Sequence, residues 1–600
     1  MQPSVIPAMY ADNKKRNTKH MHFKIKLAKF IILCKKYTQP QYANWWLIST
    51  FAFTIFLQCW IFHYLTFDIL LKPFSVFSLA KIAISIFIAS FVFFFKSKWW
   101  TIITSILINC WILTELVYSR ANSVFMDAYA WTMVGNMQGF WNSVFVFLYP
   151  KDLLLIISTI LLIIFCILFN NKQRNWKYGV YCLLASIVLS CISVDTVFRT
   201  NHSGRIGEKQ VKEMYTINPF SYKIKFAVGS QLVQDGTITK YIEAMSVMHH
   251  LVLNVFDFIR LEDSNYDMPK EDEERLLKDF INHTNNDTIN PQTPLIICLI
   301  ESFETWTISP EMTPNLYQEV TTNQNLLYCP YILSQRRGGN SSDGQLIINT
   351  GLLPLEKGAA VFRFPLNKYP ALSSIYDKSA GIFPHELGVW NQRYMNQSYE
   401  IDNAYVTKTS DKIIFPKVIE ASKSHDYVLA LTMSTHSPFT EYADSSKLYL
   451  PNTFPSRARD YAKSVNYMDE GLGILLRAWH SDEKLHSSTI VITADHNIFK
   501  QSEELFSGKY EHLNQTVGHC PLIIISPNIN GNIHLSDTYY QMDIYPTILH
   551  LIGCENYYWK GFGVNLLDST GRNNRPISIP EAFVLSDKII RANWFNSLVE

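Results

Sequence analysis

The sequence predicts a chain in two parts: an α-helical membrane half with five transmembrane helices, then an α/β domain built on a mostly parallel central sheet. Three observations carry this. Apolar residues make up 48% of 600 positions, with 14% aromatic, which is high for a soluble protein. Nearly all of the excess precedes residue 200, in almost uncharged runs long enough to cross a hydrocarbon core of roughly 30 Å. Beyond residue 290, short apolar runs alternate with longer helical patterns, as in a parallel sheet covered on both faces.

The chain opens with residues 1–44, a basic tail carrying Lys14, Lys15, Arg16, Lys19, Lys24, Lys26, Lys29, Lys35 and Lys36. Five spans follow within 45–198, at 45–67, 74–95, 99–118, 153–169 and 178–198. Lys96 and Lys98, and then Lys172, Arg174 and Lys177, share the side of the basic tail, while the alternate loops hold only Lys72, Arg120 and Lys151. That bias keeps the tail in the cytoplasm and places everything after residue 198 outside it. Residues 128–149 are uncharged and long enough to cross. Gly135, Asn136, Gln138, Gly139 and Asn142 make them too polar for lipid, and crossing would move the 172–177 cluster outside, so an interfacial or re-entrant segment is expected. Lys81 and Glu115 fall inside spans, which snorkelling or a shifted boundary accommodates.

Residues 199–290 read as a polar connector, with the helix-like "PKEDEERLLKDFINH" near its end. The net charge of +2 and the lack of a basic stripe in the second half argue against nucleic acid as a partner. Cys298, Cys329, Cys520 and Cys554 are scattered without metal-type spacing, so neither a zinc knuckle nor a disulfide framework is indicated.

The domain at 291–600 shows buried-strand patterns at 295–302, 427–434, 488–495 and 521–527. In such sheets the chemistry lies beyond the carboxyl ends of the strands, and three of these runs end in polar groups: Glu301, Thr435 with His436, and Asp495 with His496. Glu301, Asp495 and His496 offer the oxygen and nitrogen donors that suit Mn2+ or Zn2+, and Mg2+ as an alternative. Any one of them alone could equally be a helix cap, an ion-pair partner or a packed histidine. The stretch "GGNSSDGQLIINTGLLPL" (338–355) is by itself a helix cap. Beside a metal set, a serine there becomes a candidate nucleophile, because metal coordination activates a hydroxyl.

Six segments in fixed order resemble the lipoteichoic acid synthase group, phosphoglycerol transferases of the alkaline phosphatase/sulfatase superfamily. They are the apolar strand with Glu–Ser–Phe (Leu299 to Phe303), Gly–x–Ser–Ser–Asp (Gly339 to Asp343), "MSTHSPF" (433–439), "YAKSVNYMDEGL" (461–472), "ADH" (494–496) and "QMDIYPTILHLIG" (541–553). The resemblance implies a sulfatase-like sandwich with Glu301, Ser341, Asp495 and His496 around a divalent metal, Mn2+ first. Ser341 would be the nucleophile by register. The family has Thr–Ser–Asp at that point, so Ser342 stays an alternative. The resemblance also implies His436 as a catalytic histidine beside the phosphate, and His385, Trp390 and Arg393 as substrate-binding residues, although His385 lies closer to the Trp than in the family pattern. His519 is expected to be structural.

The implied partners are the membrane, a phospholipid headgroup donor (phosphatidylglycerol or phosphatidylethanolamine) and a glycan or glycolipid acceptor. The implied location is a bacterial cell membrane, multi-pass, with the catalytic domain extracytoplasmic. Phosphoethanolamine transfer is the nearest alternative, and Ile300 before Glu301 favours phosphoglycerol. Sulfatase activity is disfavoured because "CPYIL" at Cys329 lacks the Arg of the formylglycine motif. A catalytically silent membrane-anchored binding module is the alternative of a different class.

Overall fold

A computed structural model describes residues 40–67, 76–95, 98–122, 125–126, 129–130, 147–168, 175–200, 242, 246–259, 266–282, 289–501 and 503–598. Its contacts divide into two units, one of residues 1–118 with 148–256, the other of 119–147 with 257–600.

The first unit holds the apolar helices α1 (Pro40–Phe67), α2 (Val76–Ser90), α3 (Lys98–Asn122) up to residue 118, α4 (Leu153–Leu168) and α5 (Trp176–Thr200), followed by α6 (Val247–Ile259) up to residue 256. Among the described residues, four helices rather than the predicted five are long and apolar enough to cross a membrane, within α1, α3, α4 and α5. The second, expected at 74–95, is shorter. Ser90 turns its hydroxyl back to Phe87 O at 2.6 Å, an alternative to continuing the ladder, and the chain tightens into a 3-10 turn at Phe91–Phe93. Lys81 and Glu115 do not snorkel. They are 1% and 0% exposed, and Glu115 Oε1 lies 3.6 Å from His250 Nε2 on α6, so burial inside the unit, for Glu115 against a histidine, replaces escape to the interface.

The second unit is built on a nine-stranded sheet. Its strands are β1 (Leu295–Ile300), β2 (Asn325–Leu333), β3 (Ser379–Phe383), β4 (Asn403–Val406), β5 (Tyr427–Leu431), β6 (Thr489–Ala494), β7 (Cys520–Ile525), β8 (Gly531–His534) and β9 (Tyr539–Tyr540). The order is β4-β3-β5-β1-β6-β7-β2-β8, with β9 on β2. β1 runs parallel to both β5 and β6, whereas β7 is antiparallel to β6 and β2. All six residues of β1 and of β6 are buried, and each such apolar side chain stabilises the fold by about 1.5–3 kcal/mol.

Helices α7 (Ser341–Thr350), α8 (Asp411–Ser422) and α9 (Ser456–Ser481) carry the segments that meet the sheet's carboxyl edge. Of residues 128–149, the stretch expected to be interfacial, 128 and 131–146 lie outside the described residues. Its described residues Tyr129, Ala130 and Phe147, and Phe125 and Met126 just before it, are buried and belong to the second unit.

Candidate metal and nucleophile site

Because β1 and β6 are parallel and paired from Leu295↔Thr489 to Ile300↔Ala494, the residues that follow them, Glu301 and Asp495, emerge side by side. His496 completes a group whose ligand atoms all lie within 4.8 Å of one another, all three residues buried. His496 Nε2 is 3.7 Å from Glu301 Oε1 and 3.8 Å from Asp495 Oδ2. His496 Nδ1 faces Asn497 O at 2.9 Å. A carbonyl only accepts, so the proton sits on Nδ1 and the Nε2 lone pair is turned to the carboxylates.

Asp495 Oδ1 takes N–H bonds from Ser302 (2.8 Å) and His496 (2.7 Å). Burial first, then the Asp495 carboxylate, pushes the Glu301 carboxyl up to about 8. Among the described residues His496 is the only basic partner within ion-pair distance of either carboxylate. Two buried carboxylates and an imidazole lone pair aimed at one point are a donor set that fits a divalent cation.

Ser341 is the first residue of α7, so its hydroxyl stands at the positive end of that helix. Its Oγ lies 3.2 Å from Glu301 Oε2 and 3.4 Å from His496 Nε2. Ser342 is 1% exposed and donates back to Gly339 O at 2.7 Å, so its hydroxyl is committed within the turn. Two glycines allow the approach. A Cβ on Gly339 would fall 2.1 Å from Asp343 Oδ1, and one on Gly344 would fall 2.3 Å from the Asp495 carbonyl oxygen. α7 therefore rests directly on the backbone of a candidate metal ligand.

His436 follows β5 with Nδ1 on the Ser437 carbonyl at 2.6 Å. Burial lowers its pKa, and the Ser437 bond and the Asp495 charge work against that shift. His385 also has a lowered pKa, chiefly from burial, with the charge of His436 contributing, so the two histidines share one neighbourhood. Trp390 is half-buried at φ 48, its ring 6.0 Å from Phe362. Arg393 is exposed on the helix Gln392–Ser398, its N–H bonded to Leu387 O. His519 Nδ1 is buried with no hydrogen-bond partner, and its ring meets Tyr331 edge-on at 5.5 Å.

Sequence reasoning missed the buried groups that hold this arrangement. Glu304 Oε1 accepts from the N–H of Ile498 (2.8 Å) and Phe499 (2.7 Å), and Oε2 from Gly518 N (3.0 Å) and Trp306 Nε1 (2.9 Å). Burial pushes its carboxyl up to about 7, against these four donors. Tyr461 on α9 donates to Ser302 O (2.7 Å) and accepts from Glu304 N (2.9 Å), and Gln541 Nε2 donates to Asp495 O at 2.9 Å. The signal was there in the Glu three residues past Glu301, and in the Tyr and Gln that open two of the quoted motifs. Glu304→Gln turns an amide NH2 toward two N–H donors and should cost on the order of 2–5 kcal/mol. Thermal unfolding checks this, with a drop in metal affinity expected alongside because residues 495–499 lose their anchor.

Comparisons with known proteins agree in both halves. The sulfatase family model matches residues 369–554, and the lipoteichoic acid synthase N-terminal domain model matches residues 25–206. The chain is 22% identical to the lipoteichoic acid synthase of Staphylococcus saprophyticus over 597 residues, covering 88% of this chain and 86% of that protein. It is 23% identical to that of Staphylococcus aureus over 593 residues, covering 88% and 85%. Among solved structures, the lipoteichoic acid synthase LtaP of Listeria monocytogenes aligns with a TM-score of 0.40 and 18% identity, over 49% of this chain and 80% of that one. The Streptococcus pyogenes phosphoglycerol transferase GacH, in complex with sn-glycerol-1-phosphate, aligns with a TM-score of 0.36 and 15% identity, over 54% and 90%.

Proposed function

We propose that this chain, a lipoteichoic acid synthase-like member of the alkaline phosphatase/sulfatase superfamily, is a membrane-bound, metal-dependent transferase. It moves a phosphoglycerol headgroup from phosphatidylglycerol, through a phosphoester on Ser341, to a hydroxyl of a cell-envelope glycan or glycolipid. The observation that carries this reading is the Ser341 hydroxyl standing 3.2 Å from Glu301 and 3.4 Å from His496, at the head of a helix.

Glu301, Asp495, His496 and the Ser341 oxygen would hold the divalent cation, Mn2+ first with Mg2+ and Zn2+ as alternatives. When bound, it lowers the pKa of the hydroxyl and neutralises phosphate oxygens. As Ser341 Oγ attacks phosphorus its proton passes to Glu301 Oε2, which it already faces at 3.2 Å, a new P–O bond forms, and the bond from phosphorus to the diacylglycerol oxygen breaks. In its protonated form His436 gives that oxygen the proton at Nε2, since its Nδ1–H is held on the Ser437 carbonyl, and is left as the neutral imidazole. In the second step an acceptor hydroxyl gives its proton to the neutral His436 Nε2 as it attacks the same phosphorus, and Ser341 leaves with the proton held on Glu301, which restores both groups. His385 beside His436 and Trp390 on the same loop are assigned to the headgroup, and Arg393 to the outer edge of that subsite.

The positive-inside bias supports a cytoplasmic tail at 1–44, membrane helices within 45–198 and a catalytic domain facing outward, where a lipid donor needs no nucleotide. The test uses full-length protein in vesicles of phosphatidylglycerol and phosphatidylethanolamine with Mn2+ and no acceptor, followed by mass measurement of the peptide holding Ser341. A glycerol-phosphate adduct is expected. An ethanolamine-phosphate adduct would move the headgroup assignment, and neither adduct in metal-loaded protein that also releases no diacylglycerol would sink the reading.

A further inference from the structure

The stretch between α3 and α4 belongs by its contacts to the α/β unit, and its described residues touch that unit at two places that flank the candidate site. The first is Tyr129, 7% exposed, whose ring lies under the Arg363 guanidinium at 3.9 Å from the centroid. Its Cβ also closes over Gly358, which is at φ 71. A side chain at 358 would meet Tyr129 at 2.7 Å. Arg363 ends the short helix Ala360–Arg363 and donates to Lys357 O at 2.6 Å. The outer face of this helix meets the Trp390 loop: Asn391 Nδ2 donates to Val361 O at 2.8 Å, and Phe362 packs on Trp390. Trp390 and Asn391 both have positive φ, 48 and 52, a conformation that non-glycine residues keep only when their surroundings over-determine it.

The second place is Phe147, 5% exposed, whose carbonyl accepts from Arg120 Nη1 at 2.8 Å. Arg457, at the start of α9, lies over both the Phe147 ring (5.7 Å) and the Phe499 ring (5.1 Å). Phe499 is three residues past His496 and bonds Glu304 through its N–H.

We propose that Tyr129 and Phe147, drawn from between two apolar helices, are positioning residues of the transferase site: Tyr129 fixes the Trp390 loop through Arg363, and Phe147 fixes the metal-ligand loop through Arg457. The inference rests on the transferase reading for its kinetic consequence and on the geometry alone for its structural one. A cation held over an aromatic face is a directional contact, so it sets where the helix 360–363 sits as well as how stable it is.

The test uses full-length protein in phosphatidylglycerol vesicles and compares Tyr129→Ala, Tyr129→Phe, Arg363→Met and the double variant Tyr129→Ala/Arg363→Met. Hydrogen exchange of the peptide spanning 386–393 is expected to run about 10-fold faster in Tyr129→Ala and Arg363→Met, to stay at the wild-type rate in Tyr129→Phe, and to be no faster in the double variant than in either single one. In turnover, the same variants should raise KM for the lipid roughly 10-fold with kcat within about twofold, the pattern of a weakened binding loop. Phe147→Ala should raise the Mn2+ concentration for half-maximal activity several-fold at unchanged KM. Unchanged exchange in 386–393, or effects of Tyr129 and Arg363 that add, overturns the inference. Should Tyr129→Ala not fold, Arg363→Met, which keeps the stem and removes the cation, decides alone. A wild-type protein that transfers no headgroup counts against the proposed reaction, and the exchange measurement still decides the positioning role.

Discussion

Ser341→Ala should yield no phosphoalcohol adduct and lower headgroup transfer by on the order of 10^3-fold or more, the scale seen when a nucleophile is removed, while Ser342→Ala should keep the adduct. The two serines are neighbours in sequence and differ in what their hydroxyls face. Ser341 Oγ is within 3.4 Å of two candidate metal ligands, whereas the Ser342 hydroxyl is buried and bonded to Gly339 O. Losing that bond costs about 1 kcal/mol, which shows in thermal unfolding and leaves the chemistry in place. Peptide mass spectrometry of both variants after incubation with lipid and Mn2+ separates the cases. An adduct surviving in Ser341→Ala would assign the attack to another residue.

The second large effect belongs to Glu301→Gln, which acts in opposite directions with and without metal. Without metal, the Glu301 carboxyl stands at about 8 against a usual 4.5, through burial and the neighbouring Asp495 charge. A carboxyl raised in the folded state gives its full stability below about 4.5, and that stability is lost as pH climbs through about 8. Glutamine carries no such charge. Metal-free Glu301→Gln should therefore melt above the wild type, by a gap that opens from about pH 4.5 and is complete above about pH 8. With Mn2+ the order inverts. The wild type gains about 2.7 kcal/mol at a metal concentration of 100 Kd, and the variant, missing a ligand, should bind at least about 10^2-fold more weakly. Calorimetric melting at pH 6 and pH 9, with and without Mn2+, gives all four values. A wild type indifferent to Mn2+ would refute the metal assignment.

Much of the α/β unit was legible because its signal is local. β1 and β6 are unbroken apolar runs, and a polar residue at the end of each can only emerge at the sheet's edge. That is why Glu301, Asp495 and His496 could be read as one group from a sequence that separates the first from the others by about 190 positions. β7 gave the same pattern as its parallel neighbours, since a doubly covered strand looks alike in either direction, and its antiparallel pairing was not readable. β3, with Gly381 at its centre, is too short and mixed to stand out.

The membrane half was misread where burial depends on long-range partners. Lys81 and Glu115 look like boundary residues until α6, more than a hundred positions later, brings His250 to Glu115. The 74–95 run carries no charge besides Lys81, and only the Ser90 backbone bond marks where the α-helix ends. Glu304 went unnoticed for a similar reason, because its four donors come from residues 306, 498, 499 and 518, and only the first lies within its own segment.

The split layout of the α/β unit also bears on biosynthesis. Tyr129 leaves the ribosome on the order of 230 residues before Arg363 does, an interval of about 10–50 s at 5–20 residues per second. Over that time the aromatic faces of Tyr129 and Phe147 have no α/β unit to pack on, while the helices on either side of them are entering the bilayer. Completion of the domain is thus tied to translation of its distal half, and a ribosome that stalls before residue 363 leaves an anchored chain with an unsatisfied apolar segment, the kind of surface that quality-control chaperones and proteases bind.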